Sequence, residues 1–205
     1  MQKTVVVLTG CLILTGAVIE AQAPKAGEKK PAAAPKASVV AKIRDAMSAA
    51  PPKIAKGATI MDWPDSPSGQ MKQLRAGTNG WMCMPSTGAG GGVGADPMCL
   101  DKMFSNWADA YMAKKDPQTT GVGTAYMLRG DKGASNIDPF AEAPTASNQW
   151  VVSGPHVMII VPNPAQLDGY PTDPNNGGPF VMWKGTKYAH LMVPVASMLK
   201  TAAKK

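Results

Sequence analysis

The spacing of apolar side chains predicts two helices in this 205-residue chain. The first is expected from Val39 to about Ala50, because Ser38 is a favourable N-cap and Pro51-Pro52 ends the helical pattern. The second is expected from about Asp101 to Lys115. Its apolar face consists of Leu100, Met103, Phe104, Trp107 and Tyr111.

The rest of the pattern consists of short apolar runs separated by turn residues, which is typical of β-strands. The predicted strands are Ala58–Trp63, Met71–Arg75, Trp81–Met84, Val122–Arg129, Trp150–Val161, Phe180–Lys184 and Tyr188–Val193. Gly154-Pro155 divides the fifth of them, and the last two form a hairpin that turns at Gly185-Thr186. Because strands outnumber helices without regular alternation, we expect a loop-rich α+β fold, with a mainly antiparallel sheet and one or two packed helices.

Residues 1–23 have the layout of a secretory signal peptide: Lys3, an apolar stretch and the cleavage motif Ala21-Gln22-Ala23. The apolar run of about 15 residues is short for a helix that spans a bilayer. Lipidation at Cys11 is the less favoured alternative, since the apolar run continues past that residue. We therefore expect a periplasmic or extracellular protein with no transmembrane span after signal removal.

The remaining chain divides by composition and charge. Residues 24–37 are rich in Pro, Ala and Lys and predict a linker, residues 38–56 a helix and connector, and residues 57–205 a single α+β domain with a basic C-terminal tail. Net charge is +6 over residues 24–56, −2 over 57–195 and +3 over 196–205. Because the folded body is faintly acidic, nucleic acid is excluded as a partner, and a small molecule or a protein is expected.

Signal removal leaves two cysteines, Cys83 and Cys99. An even number of cysteines in an oxidising compartment indicates a disulfide. Fifteen residues separate the two, unlike the C-x-x-C spacing of redox-active pairs. We expect a structural disulfide.

Five motifs between residues 58 and 195 resemble a family of exported bacterial hypothetical proteins. They are Gly77-Thr78-Asn79-Gly80-Trp81, Asp96-Pro97-Met98-Cys99-Leu100-Asp101, Ala134-Ser135-Asn136-Ile137-Asp138-Pro139-Phe140, Gly154-Pro155-His156-Val157-Met158 and Gly178-Pro179-Phe180-Val181-Met182-Trp183. The resemblance implies an exported location and one fold over this region. It implies no chemistry, since we know of no activity assigned to the family.

Both histidines of the chain begin the same short pattern, His156-Val157-Met158 and His190-Leu191-Met192. In a strand, residues i and i+2 share a face, so each imidazole would share a face with a thioether. If the strands were neighbours, His156, Met158, His190 and Met192 would form a metal site suited to copper, in particular Cu(I). The competing interpretation makes both histidines ordinary buried residues and the methionines core filling.

The sequence leaves two further functions open. A hydrolase-like or metal-dependent enzyme would use His156 or His190 as general base, oriented by Asp138 or Asp168, but no nucleophile motif accompanies them. A binding module would use Trp81, Trp150 and Trp183, which lie beside loops where an apolar pocket could open. A binding module does not need the nucleophile motif that the sequence lacks. The sequence therefore favours an exported, non-enzymatic binding or accessory domain without a resident cofactor, with the enzyme and the copper protein as alternatives.

Overall fold

The computed structural model describes residues 38–66, 69–87 and 96–195. The predicted signal peptide with Cys11, the linker, the glycine-rich run 88–94 and the basic tail from residue 196 lie outside the described residues. Within the described part, every helix is too short or too polar to cross a bilayer.

Three α-helices, ten β-strands and one 3-10 turn make up the described chain. The helices are α1 (Val39–Met47), α2 (Pro52–Ala55) and α3 (Lys102–Met112), and the 3-10 turn is Pro164–Leu167. The strands are β1 (Thr59–Asp62), β2 (Lys72–Arg75), β3 (Met82–Met84), β4 (Met98–Leu100), β5 (Gly123–Met127), β6 (Ala134–Ser135), β7 (Trp150–Val151), β8 (His156–Ile160), β9 (Phe180–Met182) and β10 (His190–Pro194).

Eight of these strands form one sheet in the order β2-β1-β3-β4-β5-β8-β10-β9. All of its pairs are antiparallel except β1 with β3, and β6 and β7 form a separate two-stranded ribbon. The fold is therefore α+β with a mainly antiparallel sheet, as the pattern of strands and helices predicts.

Helix α3 covers one face of the sheet, which we call the α3 face. Phe104 and Trp107 of α3 pack there against Leu100, Ala125 and Ile160. The Asp101 carboxylate fixes the start of the helix, since one oxygen accepts from Phe104 N at 2.8 Å and the other from Thr124 N at 2.6 Å. The opposite face packs against α1 at one end and against the 3-10 turn at the other.

Most predicted elements are confirmed, with shorter bounds. The break at Gly154-Pro155 separates β7 from β8, and β9 pairs with β10 as a hairpin that contains Gly185-Thr186. Four short elements were not predicted: α2, β4, β6 and the 3-10 turn. None is longer than four residues, and each lies in a stretch that the sequence pattern assigns to a connector, a loop or the start of the second helix.

Cys83 and Cys99 form the predicted disulfide across β3 and β4, where they are direct antiparallel partners with Cα atoms 4.0 Å apart. Both are fully buried beside Ala46 of α1 and Ile60 of β1. The bond therefore joins the two strands directly beneath α1.

We expect replacement of Cys83 and Cys99 together by alanine to lower the free energy of unfolding by about 3 kcal/mol, because the bond closes a loop of 15 residues in the unfolded chain. Urea denaturation of oxidised wild type and the double variant, both without reductant, measures this difference. Equal midpoints would contradict a stabilising role for the disulfide.

Candidate metal centre on the α3 face

Both histidines and eight methionines lie at positions that face α3 in the described strands. The methionines are Met61, Met82, Met84, Met98, Met127, Met158, Met182 and Met192. The alternation of side chains along each strand and the antiparallel register together produce this arrangement. The α3 face is therefore rich in thioethers, with two imidazoles among them.

The methionines nearest His156 belong to a row across four neighbouring strands. Met84 pairs with Met98, and Met127 pairs with His156. Met98 neighbours Met127, because the next pair along the same ladder is Cys99 with Tyr126. Directly opposed side chains have Cβ atoms about 4.5–5.5 Å apart. The row therefore consists of three thioethers followed by one imidazole. We call it the edge row, because Met84 and Met127 end β3 and β5, whereas Met98 and His156 begin β4 and β8.

The His156 ring is buried and has one nitrogen without a hydrogen-bond partner among the described residues. Nδ1 lies 2.7 Å from the Gly154 carbonyl oxygen, which can only accept, so Nδ1 carries the proton. Burial lowers the pKa of the imidazole from its ordinary value of 6.5, so the ring is neutral at pH 7. Nε2 consequently keeps a buried lone pair.

Asp131, in the loop after β5, faces that lone pair. Its Oδ2 lies 4.0 Å from His156 Nε2, and Asp131 is only partly buried. The other oxygen, Oδ1, accepts from the backbone N–H groups of Gly133 at 2.9 Å and Ser153 at 2.8 Å. These two bonds hold the carboxylate in place, so its distance from the imidazole is set by the backbone.

Two acceptors 4.0 Å apart are too distant for a hydrogen bond and repel each other when nothing lies between them. A cation between them, about 2.0–2.2 Å from each, matches the separation. A water molecule that donates to both is the alternative. We call the corner around Met98, Met127, Asp131, Ser153 and His156 the His156 corner. It holds a buried imidazole lone pair that faces a carboxylate oxygen.

His190 has a different environment. Its ring meets Trp107 and Trp183 edge to face, with centroid distances of 5.7 Å and 4.8 Å, and Nδ1 lies 3.1 Å from the Tyr188 carbonyl oxygen. Burial lowers the pKa of this imidazole to about 4, against the opposing effect of the hydrogen bond to the Tyr188 carbonyl. The ring is a neutral member of an aromatic cluster.

The four residues predicted as a copper site share the α3 face, as their spacing predicts, but they do not all meet. Met158 and Met192 are direct partners, whereas His156 lies opposite Pro194. His190 is four residues from Pro194 along β10, so it lies about 13 Å along the strand from the position opposite His156. The structure therefore brings the two thioethers together and places the two imidazoles at opposite ends.

The tryptophans predicted to line a binding pocket do not converge. Trp81 packs against Tyr126 on the α1 side of the sheet, with ring centroids 5.5 Å apart. Trp183 is buried on the α3 face and donates from Nε1 to the Ser135 carbonyl at 2.7 Å. Trp150 lies in β7 beside Gly133, where an added Cβ would lie 2.1 Å from its Nε1. Trp150 and Trp183 are therefore held by contacts within the fold.

The carboxylates considered as partners for a histidine base have other roles. Asp138 accepts from the Phe140 N–H at 2.9 Å within a turn. Asp168 is exposed, and its carbonyl accepts from Lys184 Nζ at 2.9 Å. Asp131, which sequence spacing did not single out, is the carboxylate beside His156.

Comparison with known proteins found no matching family model, curated protein or solved structure. The resemblance to an exported bacterial family therefore stays a prediction.

The buried neutral state of His190 has a consequence for stability. The pKa of the ring is about 4 in the folded chain and about 6.5 in the unfolded chain, so the unfolded chain protonates first as pH falls. The stability that depends on the neutral ring is complete above pH 6.5 and is lost as pH falls to about 4, a loss of about 3 kcal/mol. Urea denaturation of wild type and His190→Gln between pH 7 and pH 4 measures it. Parallel pH profiles for the two proteins would show that His190 does not contribute.

Proposed function

We propose that the protein is an exported, non-enzymatic binding domain that holds one transition-metal ion at the His156 corner. The observation that carries the proposal is the buried lone pair on His156 Nε2, which faces a carboxylate oxygen 4.0 Å away. A neutral imidazole whose other nitrogen is held by a backbone carbonyl has the form in which histidine binds metals.

Charge and energy both support a cation in this position. An unpartnered acceptor costs about 1–3 kcal/mol when it is buried, and a metal ion removes that cost by using the lone pair. Asp131 supplies a negative charge that is fixed by two backbone N–H groups. A cation at the corner therefore gains an imidazole ligand and a compensating charge without rearrangement of either group.

Binding is favoured over catalysis because the same corner lacks the arrangement that a hydrolase needs. In such an enzyme a carboxylate orients one imidazole nitrogen and a nucleophile faces the other. Here a backbone carbonyl holds Nδ1, and Nε2 faces Asp131. The Ser153 hydroxyl is buried and has no hydrogen-bond partner among the described residues, and no hydrogen bond joins it to His156.

Export is supported by the sequence of residues 1–23 and by the Cys83–Cys99 disulfide, since such bonds persist in oxidising compartments. Copper and other transition metals in that compartment are held by protein sites whose ligand type and geometry set selectivity. A metal-binding accessory role fits a small domain with no nucleic-acid-binding charge pattern.

The proposal is tested by a pair of matched histidine variants. Wild-type protein, His156→Gln and His190→Gln are dialysed separately against Cu(I) under anaerobic ascorbate, Cu²⁺, Zn²⁺ and Ni²⁺, and bound metal is measured by atomic emission. We expect one equivalent of at least one ion in wild type and in His190→Gln, and loss of that equivalent in His156→Gln. The reason is that only the His156 ring has a buried nitrogen without a partner among the described residues.

Two outcomes would overturn the proposal. In the first, wild type retains none of the four ions, which would leave a bridging water as the occupant of the corner. In the second, both histidine variants retain metal as wild type does, which would place the site elsewhere. Circular dichroism of each variant establishes that the fold survives, so that loss of metal reports on the ligand.

A further inference from the structure

The ligands that neighbour His156 in space are not those that neighbour it in sequence. Both ring contacts, with the Gly154 carbonyl and with Asp131, lie beyond the N-terminal end of β8. Met158 lies in the opposite direction along that strand and pairs with Met192 in the next row of the sheet. The ring therefore turns away from the thioether that the His-x-Met pattern suggests.

The edge row supplies thioethers on the side to which the ring turns. Met127 is the direct cross-strand partner of His156 and is 5% exposed. Met98 occupies the next strand at the same level and is partly buried. The flexible methionine side chain has three rotatable bonds, so both sulfur atoms can reach a common point above the edge row.

The chemistry of these donors selects the ion. No group of three or more His, Cys, Asp or Glu side chains in the described residues is arranged to hold a metal. The side chains that extend from His156 along the edge row are thioethers instead. Thioether and imidazole donors together favour Cu(I) over Zn²⁺ and over the hard cations, which prefer oxygen.

Resting on the function proposed above, we propose that the ion is Cu(I) and that Met127 and Met98 bind it together with His156 Nε2. Asp131 Oδ2 faces the same Nε2 lone pair from 4.0 Å away and contributes negative charge to the corner. Met158 and Met192 fill the core between the two histidines and are not ligands. The site therefore differs from the set His156, Met158, His190 and Met192 that the sequence pattern predicts.

The α3 face offers a matched test, because all four methionines can be replaced by leucine with little change in volume. Full-length exported protein and the variants Met127→Leu, Met98→Leu, Met158→Leu and Met192→Leu are titrated anaerobically with Cu(I) against bathocuproine disulfonate. We expect Met127→Leu and Met98→Leu each to weaken Cu(I) binding at least tenfold. Met158→Leu and Met192→Leu are expected to stay within threefold of wild type.

The outcomes separate this inference from the function on which it rests. If His156→Gln abolishes metal binding but Met127→Leu and Met98→Leu bind Cu(I) as wild type does, the metal-binding function stands and the thioether ligands are wrong. Equal weakening by Met158→Leu and Met192→Leu would also overturn the ligand set, in favour of the sequence-predicted one. If wild type binds Zn²⁺ more tightly than Cu(I), the choice of ion is wrong. Failure of wild type to retain any ion overturns both.

Discussion

A hydrogen bond of 2.7 Å between His156 Nδ1 and the Gly154 carbonyl decides the chemistry of the α3 face. Because a carbonyl only accepts, the bond fixes the proton on Nδ1 and leaves the lone pair on Nε2. Burial keeps the ring neutral by lowering its pKa, and the cross-strand register places Met127 beside it. The protonation state of the ring follows from this bond and from burial, and the position of Met127 beside it follows from the pairing of β5 with β8.

The surrounding fold holds that arrangement in place from several sides. Asp101 ties the start of α3 to β5 through the Thr124 N–H, so the helix covers the strand that carries Met127. The disulfide joins β3 to β4, which carry the other thioethers of the edge row. Asp131 is fixed by backbone N–H groups of Gly133 and Ser153. The site, assembled from three strands and a loop, is thus held by contacts that are local to each of them.

The sequence predicts the fold class because its strong signals are local. Helix α3, the break before β8 and the β9–β10 hairpin each depend on periodicity or turn residues within a short window. Strand β4 was missed because Met98–Leu100 is short and directly precedes α3, so that Leu100 fits the apolar face of the predicted helix. The order of strands in the sheet was not predicted either, since β5 pairs with β4 and β8 across loops whose sequences do not encode a partner.

The candidate site was predicted only in part, because its sequence signals are local as well. Alternation along a strand correctly places each histidine on one face with the methionine two residues later. It gives no information on ring direction or on cross-strand partners, so Met127 and Asp131 were not singled out. One local signal was available: Met82 and Met84 occupy alternate positions and therefore share one face of a strand.

The most direct test of the central claim is X-ray absorption at the copper edge of protein loaded with one equivalent of Cu(I). Cys83 and Cys99 are joined in a disulfide, so in protein prepared without residues 1–23, which include Cys11, thiolate ligands are absent and a sulfur shell indicates methionine. The account predicts an imidazole nitrogen shell together with a sulfur shell that is lost in the combined Met98→Leu and Met127→Leu variant. A shell of nitrogen and oxygen alone, unchanged in that variant, would contradict it.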